Sequence, residues 1–329
     1  MAGRTRLIDV ISTSAFIAIG IVAGMAQSAE PPYPSRSIRL VVPFAPGGGL
    51  DVLARIISPR LSEAMGQTWV VDNRSGAGGN LGAEIVVRAN PDGHTVLIAL
   101  SQQLTANPSL YTLPFSIEQD LQPVTMLATA EHILVVHPSV PAKTLKEFIA
   151  LAKQNPGTLN YASSGVGTPV HLGAELLKKR AGIDMVHVAY KGGGPAAAAL
   201  LGGEAKVMVA SAASTIAFVK AGRLRALATT ATRRSRLLPE LPTIAESGYP
   251  GFEVSVWFAM LVPRATPKSV VQRIRNETIK VMQHPDVQGT MATQGLEAET
   301  STASELAARI KTEAAMWAAI INELGIRAE

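Results

Sequence analysis

Two stretches of this chain place small and hydroxyl residues where an anion could be held: Phe44-Ala45-Pro46-Gly47-Gly48-Gly49-Leu50-Asp51 and Ser163-Ser164-Gly165-Val166-Gly167-Thr168. Each follows a short apolar run and opens a helical pattern. Its free main-chain N–H groups therefore collect at a helix N-terminus, which carries about half a positive charge without any cationic side chain. Facing one another across a cleft, two such turns would clamp a small carboxylate. Lys191-Gly192-Gly193-Gly194-Pro195, after the run Val186 to Tyr190, is a third turn of the same kind. The alternative is that these are ordinary βα turns in which glycine merely permits positive φ, a conformation expected at Gly48. Asp51 falls in the first turn of its helix, where its charge suits the macrodipole, so a structural role stands beside ligand contact.

Other chemistries lack their residues. The Gly47-Gly48-Gly49 turn is not followed by the G-K-[ST] of a phosphate loop. A dinucleotide fingerprint is broken by Leu81 after Gly76-x-Gly78 and by Val170 after Gly165-x-Gly167. Neither G-x-S-x-G nor H-E-x-x-H occurs. His171 and Glu175 share a helix face at i,i+4, but a metal needs more ligands than these two, so His171 is expected to cap or to pack. With no cysteine there are no disulfides, thiolate nucleophiles, Cys-ligated zinc or Fe–S clusters.

These residues must be positioned by a chain of 329 residues with 47% hydrophobic and 17% charged residues, a globular composition with room for about two domains. A formal charge of +5 with only 5% aromatic residues gives little for nucleic acid to stack upon. Arg4 and Arg6 precede an apolar run from Val10 to Val22 and the small-residue stretch Ala23 to Ala29. Residues 1–29 are therefore expected to be a secretory signal peptide, cleaved between Ala26 and Glu30.

Beyond Pro34, strands alternate with amphipathic segments. Ser37 to Pro43 precedes a helix from about Leu50, which Pro59 is expected to kink or end; Trp69 to Val71 precedes a glycine turn and a helix from Asn80; Thr95 to Leu100 follows. A second series begins near His132, and Thr144-x-x-Glu147 reads as a capping box. Strands at 160–162, 185–189, 206–209 and 224–228 alternate with helices near 169–180, 195–202 and 213–221, predicting a parallel sheet covered on both faces. The tail adds a helix after Pro267 and another capped by Thr302-x-x-Glu305, both expected to pack on the first domain. Trp257 and Phe258 lie in the apolar strand Val254 to Val262 and are expected in the core or at a hinge. Arg223, Arg225, Arg233, Arg234 and Arg236 form a basic cluster, expected to be a solvated face, with docking to a membrane partner as the alternative.

Ordered motifs then add a resemblance. Tyr33-Pro34-Ser35-Arg36, Val41-Val42-Pro43-Phe44-x-Pro46-Gly47-Gly48-Gly49-x-Asp51, Asn73-Arg74-x-Gly76-Ala77-Gly78-Gly79-Asn80, Asn107-Pro108-Ser109-Leu110-Tyr111, Leu159 to Gly165 and His187-Val188-x-Tyr190-Lys191-Gly192 look like the extracytoplasmic receptors of tripartite tricarboxylate transporters, the Bug family. The likeness runs from Tyr33 to the C-terminus. It implies an α/β, two-lobed type II periplasmic-binding-protein fold with the ligand cleft between lobes: lobe 1 at about 31–126 plus 255–329, lobe 2 inserted at 127–254. Crossings are expected near Val124 to Thr129 and Phe252 to Leu261.

The resemblance implies a periplasmic receptor that captures a small organic carboxylate and delivers it to integral-membrane permease subunits. No catalytic residue, metal, cofactor or nucleic acid is expected, and the protein is expected to be a monomer. Carried over by position, the ligand residues would be Phe44, Ala45, Pro46, Gly47, Gly48, Gly49, Leu50 and Asp51 in one lobe. In the other they would be Ser163, Ser164, Gly165, Val166, Gly167, Thr168 and His171, with Gln103, Tyr190 and Ser211 also lining the pocket. Leu50, Val166, Pro169 and Ala210 stand where the family commonly has polar groups, and Gln102 and Gln103 are unusual amides. With Ala210 in place of an acid, carboxylates without an ammonium group are expected to bind better than amino acids. The alternative is a secreted isomerase or hydrolase using His171, Glu175 and Ser163, for which the sequence offers no oriented triad.

Overall fold

The computed structural model describes residues 33–190 and 192–327, so the expected signal peptide and Lys191 lie outside the described residues. In chain order the first part forms β1 (Ile38–Val42), α1 (Gly49–Met65), β2 (Trp69–Asn73), α2 (Asn80–Val87), β3 (Thr95–Leu100), α3 (Ser101–Thr105), α4 (Asn107–Leu110), α5 (Ile117–Asp120) and β4 (Leu121–Ala130). The middle forms β5 (His132–Val136), α6 (Leu145–Gln154), β6 (Asn160–Ser163), α7 (Pro169–Ala181), β7 (Val186–Ala189), α8 (Gly193–Leu201), β8 (Val207–Ser211), α9 (Ala212–Lys220) and β9 (Arg225–Thr229). Then come β10 (Val256–Pro263), α10 (Lys268–Gln283), α11 (Pro285–Thr293), β11 (Leu296–Ala298) and α12 (Ala303–Leu324).

The strands assemble into a six-stranded sheet, β11-β4-β10-β3-β1-β2, and a five-stranded sheet, β7-β6-β8-β5-β9. Neither is wholly parallel, which corrects the expectation from the β/α alternation. β1 pairs parallel with β2 and β3, and β6 pairs parallel with β7 and β8. β10 runs antiparallel to both β3 and β4, and β5 runs antiparallel to β8 and β9. For the pairs β4–β10 and β5–β9 the cause is the path between the sheets. β4 leaves the first sheet and β10 returns to it, so neighbours that cross the same boundary in opposite senses pair antiparallel. Glu131 alone separates β4 from β5.

Side chains alternate across the first sheet with the period of two that a pleated strand imposes. Leu40, Val42, Phe258, Met260 and Val262 face one cluster, completed by Leu53, Ile57 and Leu61 of α1 and Ile274 of α10. Val41, Leu97, Ala99, Trp257 and Leu261 face the other. α1 runs through Pro59, which sits on its exposed side where water can satisfy the acceptor left free. At the N-terminus of α12, Thr302 and Glu305 form the reciprocal capping box. At α6, Thr144 caps Glu147, but the Glu147 carboxylate takes the N–H of Lys143 at 2.6 Å.

One tail helix departs from expectation. Leu306 and Ile310 of α12 join the first sheet's core, whereas Trp317, Ile320 and Ile321 pack in the cluster around the second sheet. At 22 residues the helix is about 33 Å long, enough to reach both.

Candidate functional site

The turn between β1 and α1 is held from behind by one buried acid. Asp51 Oδ2 accepts the Gly47 N–H at 2.9 Å and the Arg55 Nε–H at 2.9 Å. Its Oδ1 accepts from Asn73 Nδ2 at 3.0 Å, and the same amide donates to Phe44 O at 3.0 Å. Burial pushes the Asp51 carboxyl upward, but the hydrogen bonds from Arg55, Gly47 and Asn73 hold it below the usual carboxylate range. The acid is a strut for the loop, and Ala45 to Gly49 above it are exposed. Gly48 is the N-cap of α1 and supplies no side-chain cap, so the first N–H groups of that helix find no acceptor among the described residues. Positive φ belongs to Gly47, at +86°, while Gly48 is extended at φ −80°; the expectation for Gly48 is corrected. Leu50 is buried in the first sheet's core rather than at the turn's surface.

A second glycine turn meets this one. Gly76, Ala77, Gly78 and Gly79 all have positive φ, between 47° and 146°. A side chain on Gly79 would lie 3.0 Å from the Phe44 ring and 3.2 Å from Gln103 Cδ, so Phe44 and Gln103 together close the space beside that glycine. Gln103 Nε2 donates to Gly79 O at 2.7 Å, and Asn107 Nδ2 donates to Gly78 O at 3.0 Å and Asn80 Oδ1 at 2.7 Å. Gln102 Nε2 donates to Asn107 Oδ1 at 2.9 Å. All four side chains are buried, and Gln103 Oε1 and Asn80 Nδ2 have no hydrogen-bond partner among the described residues. Sequence reading missed this cluster's link to the β1–α1 turn. The run of four small residues before Asn80, three of them glycine, was the available signal.

In the second sheet, β6 runs into Ser163–Thr168 and α7 follows. Ser163 Oγ accepts the Gly165 N–H at 3.2 Å and meets His187 Nε2 at 2.6 Å. Thr168 Oγ1 donates to Gly165 O at 2.7 Å and caps α7 through the His171 N–H. Gly167 N donates to His171 Nδ1 at 3.0 Å. Gly165 and Gly167 have φ of 130° and 75°, and a side chain on Gly167 would strike Leu110 of α4 at 2.6 Å. The turn is thus seated on the segment that carries Gln103 and Asn107. Tyr190 donates its N–H to Ser163 O at 3.0 Å, while Ser211 stands where β8 passes into α9. Val166 and Ser164 are half-buried and lie outside these internal bonds.

The alternative enzyme constellation does not assemble. Glu175 takes the Tyr161 hydroxyl at 2.5 Å and Lys178 Nζ at 2.8 Å, and His171 Nδ1 is committed to Gly167. Ser163 and His187 do touch, but Ser163 is fully buried. Among the described residues no acid hydrogen-bonds His187, so the orienting third group is missing. Nor is there, among the described residues, a cluster of three or more His, Asp or Glu that could hold a metal. Two cavities, of about 640 and 930 Å³, lie elsewhere, beside α6 and under α4 and α12 respectively.

Each arginine of the basic cluster is engaged by the fold, three of them with two carboxylates. Arg233 and Arg236 grip Glu297 of β11 at 2.7 and 2.8 Å, and Arg234 pairs with Glu246. Arg225 donates to Val140 O and Ala142 O, and Arg223 lies over the Phe218 ring.

Comparison with known proteins agrees with this architecture. The family model described as "Tripartite tricarboxylate transporter family receptor" matches residues 53–326. A UPF0065 protein from the tcbD-tcbE intergenic region of Pseudomonas sp. strain P51 is 40% identical, covering 90% of this chain and 88% of that protein. Protein BugT of Bordetella pertussis is 34% identical over 98% of both chains. A solved R. palustris structure with adipate is 33% identical, with a TM-score of 0.80, covering 90% of this chain and 99% of that one. Two α/β sheets, a family model over most of the length and likeness to solved two-lobed proteins lead to one conclusion: the chain belongs to the tripartite tricarboxylate transporter receptors, with their two-lobed α/β fold.

Proposed function

We propose that this receptor captures a small organic carboxylate in the periplasm, between the turns Phe44–Asp51 and Ser163–Thr168, and hands it to integral-membrane permease subunits without chemical change. Lobe 1 is taken as about 31–126 plus 255–329 and lobe 2 as 127–254. The chain is taken to act as a monomer after removal of residues 1–29.

The observation that carries this reading is the uncapped start of α1. Gly48 offers no side chain to its N–H groups, while Asp51 is engaged from below and leaves them outward. Such a terminus favours an anion. The opposite turn is braced by its own hydroxyls and histidines, which leaves the Ser164 and Val166 N–H groups for a second contact. Gln103, whose Oε1 has no partner among the described residues, lies with Phe44 beside Gly79 and suits the far end of a ligand that carries a hydroxyl or a protonated acid.

The relative solved with adipate supports a linear dicarboxylate as the first ligand to try. Native mass spectrometry of gently purified protein, followed by calorimetry with adipate, malate, citrate and benzoate, tests the reading. Micromolar binding without turnover is expected, and that affinity corresponds to about −8 kcal/mol. Conversion of any of these acids by the pure protein would replace the receptor reading with the enzymatic one.

A further inference from the structure

Beneath the turn Ser163–Thr168 three nearly parallel rings cluster around His187, the centres of Tyr161 and His171 lying 6.3 Å apart. The His187 ring centre is 4.1 Å from that of His171 and 4.8 Å from that of Tyr161, with interplanar angles of 17° and 16°. Each imidazole holds one glycine amide of the turn. His171 Nδ1 takes the Gly167 N–H directly, and His187 acts through Ser163 Oγ, which takes the Gly165 N–H.

The bond from Gly167 settles the state of His171. Nδ1 is an acceptor, so the ring is neutral with its proton on Nε2. A proton arriving at Nδ1 would set donor against donor, and the Gly167 N–H would have to turn away. The surroundings oppose that proton. Burial and the neighbouring His187 hold His171 down to about 4, with Lys178 adding to them and Glu175 acting in the other direction. Burial likewise holds His187 below its ordinary value, with the same two side chains of α7 acting in opposite senses. Tyr161 from β6 and Ser163 complete the groups that face the pair, and the Tyr161 hydroxyl is spent on Glu175. Two rings in contact also cannot both charge without repulsion.

We propose that His171 and His187 are positioning residues for the ligand: as a neutral stacked pair they fix the Gly165 and Gly167 amides that shape the carboxylate turn, and proton uptake by the pair loosens the turn and weakens binding. This rests on the reading of Ser163–Thr168 as half of the carboxylate site. It differs from a ligand contact in that both side chains act through the loop they support.

The first test needs no ligand. In the free protein, the Gly165 and Gly167 amide resonances, followed by NMR from pH 7 to 3.5, are expected to move with the imidazole signals of His171 and His187. Amides indifferent to that titration would overturn the positioning role. The second test measures adipate binding by calorimetry over the same range in wild type, His171→Asn, His187→Gln and His171→Ala. Asn keeps an acceptor near the position of Nδ1, and Gln keeps a polar group near that of Nε2. Both are expected to bind within about threefold of wild type at pH 7, whereas His171→Ala should bind about tenfold more weakly.

Acidification protonates adipate itself in every sample, so the comparison with His171→Asn isolates the imidazole. Wild type should lose at least about threefold more affinity than His171→Asn by pH 3.5. Superimposable pH profiles for the two, with both still folded by circular dichroism, would refute the proposal. Should adipate bind none of the four proteins while the glycine amides still follow the histidines, the ligand reading fails and the bracing of the turn stands.

Discussion

Asn73 and Asp51 meet at 3.0 Å across the base of the β1–α1 turn, and the same Asn73 amide reaches Phe44 O. The pair closes the turn at both ends, since Asp51 also takes the Gly47 N–H. Asp51→Ala should therefore cost about 2–3 kcal/mol of stability, because a buried carboxylate that accepts several bonds is removed and its donors are left unpaired. Carboxylate affinity should fall with it. Urea denaturation together with calorimetry checks both, and a loss of affinity with unchanged stability would mean that Asp51 touches the ligand instead.

The glycines of the two turns should respond differently. Gly47→Ala forces a side chain onto φ +86°, at a cost of about 1–2 kcal/mol without a clash, because no atom of the described residues lies within 4 Å. Gly48→Ala should be within about 0.5 kcal/mol of wild type, its φ being −80° and its nearest neighbour 3.8 Å away. Gly167→Ala should be the worst, combining φ +75° with a 2.6 Å approach to Leu110. Denaturation midpoints of the three variants provide the ranking, and equal midpoints would contradict the turn geometry.

Stability should fall on acidification from about pH 6.5 to pH 4. His132 and His171 are both held down to about 4, in each case chiefly by burial. Within that window the unfolded chain binds protons that the native protein refuses, so each histidine removes up to about 1.4 kcal/mol per pH unit. His132→Asn should flatten the slope by one proton. Urea titrations at pH 7, 6 and 5 measure it, and a stability that rises toward pH 5 would be incompatible with neutral buried imidazoles.

Carboxylates should outbind amino acids. An ammonium group in a closed cleft needs an acid, since an unpaired buried charge costs several kcal/mol. Asp51 is occupied by Gly47, Arg55 and Asn73, and Ala210, fully buried on β8, offers no carboxylate. A thermal-shift panel of adipate, malate and citrate against glutamate and aspartate decides the matter, and stabilisation by the amino acids alone would reverse this expectation.

Much of the fold could be read from local pattern. The apolar runs of β1 and β10, the caps at Thr144 and Thr302 and the glycine turns before α1 and α7 each express a rule acting within a few residues. Strand direction is not carried by such patterns, so the antiparallel pairing of β10 and β5 went unread. The apolar stripe of α12 likewise states which face is covered without stating by what. At the site, the turns themselves were legible, but the support behind them was not. Asn73 lies 22 residues from Asp51 and His187 lies 24 from Ser163, and only the folded sheet brings those partners together.

The course of α12 bears on how the molecule can flex. Two strand connections, at Glu131 and between β9 and β10, would by themselves behave as a door on a pair of straps, free to swing and to twist. α12 is anchored at one end by Leu306 and Ile310 and at the other by Trp317, Ile320 and Ile321. The indole of Trp257 on β10 is fastened to Glu313, midway along it, at 2.9 Å. A third attachment of this stiffness turns the straps into a tripod. Shear along the seam would drag the helix out of one apolar bed or the other, whereas rotation about an axis running beside it leaves both beds intact. The low-cost motion is thereby narrowed to a single bend, with α12 as its spine.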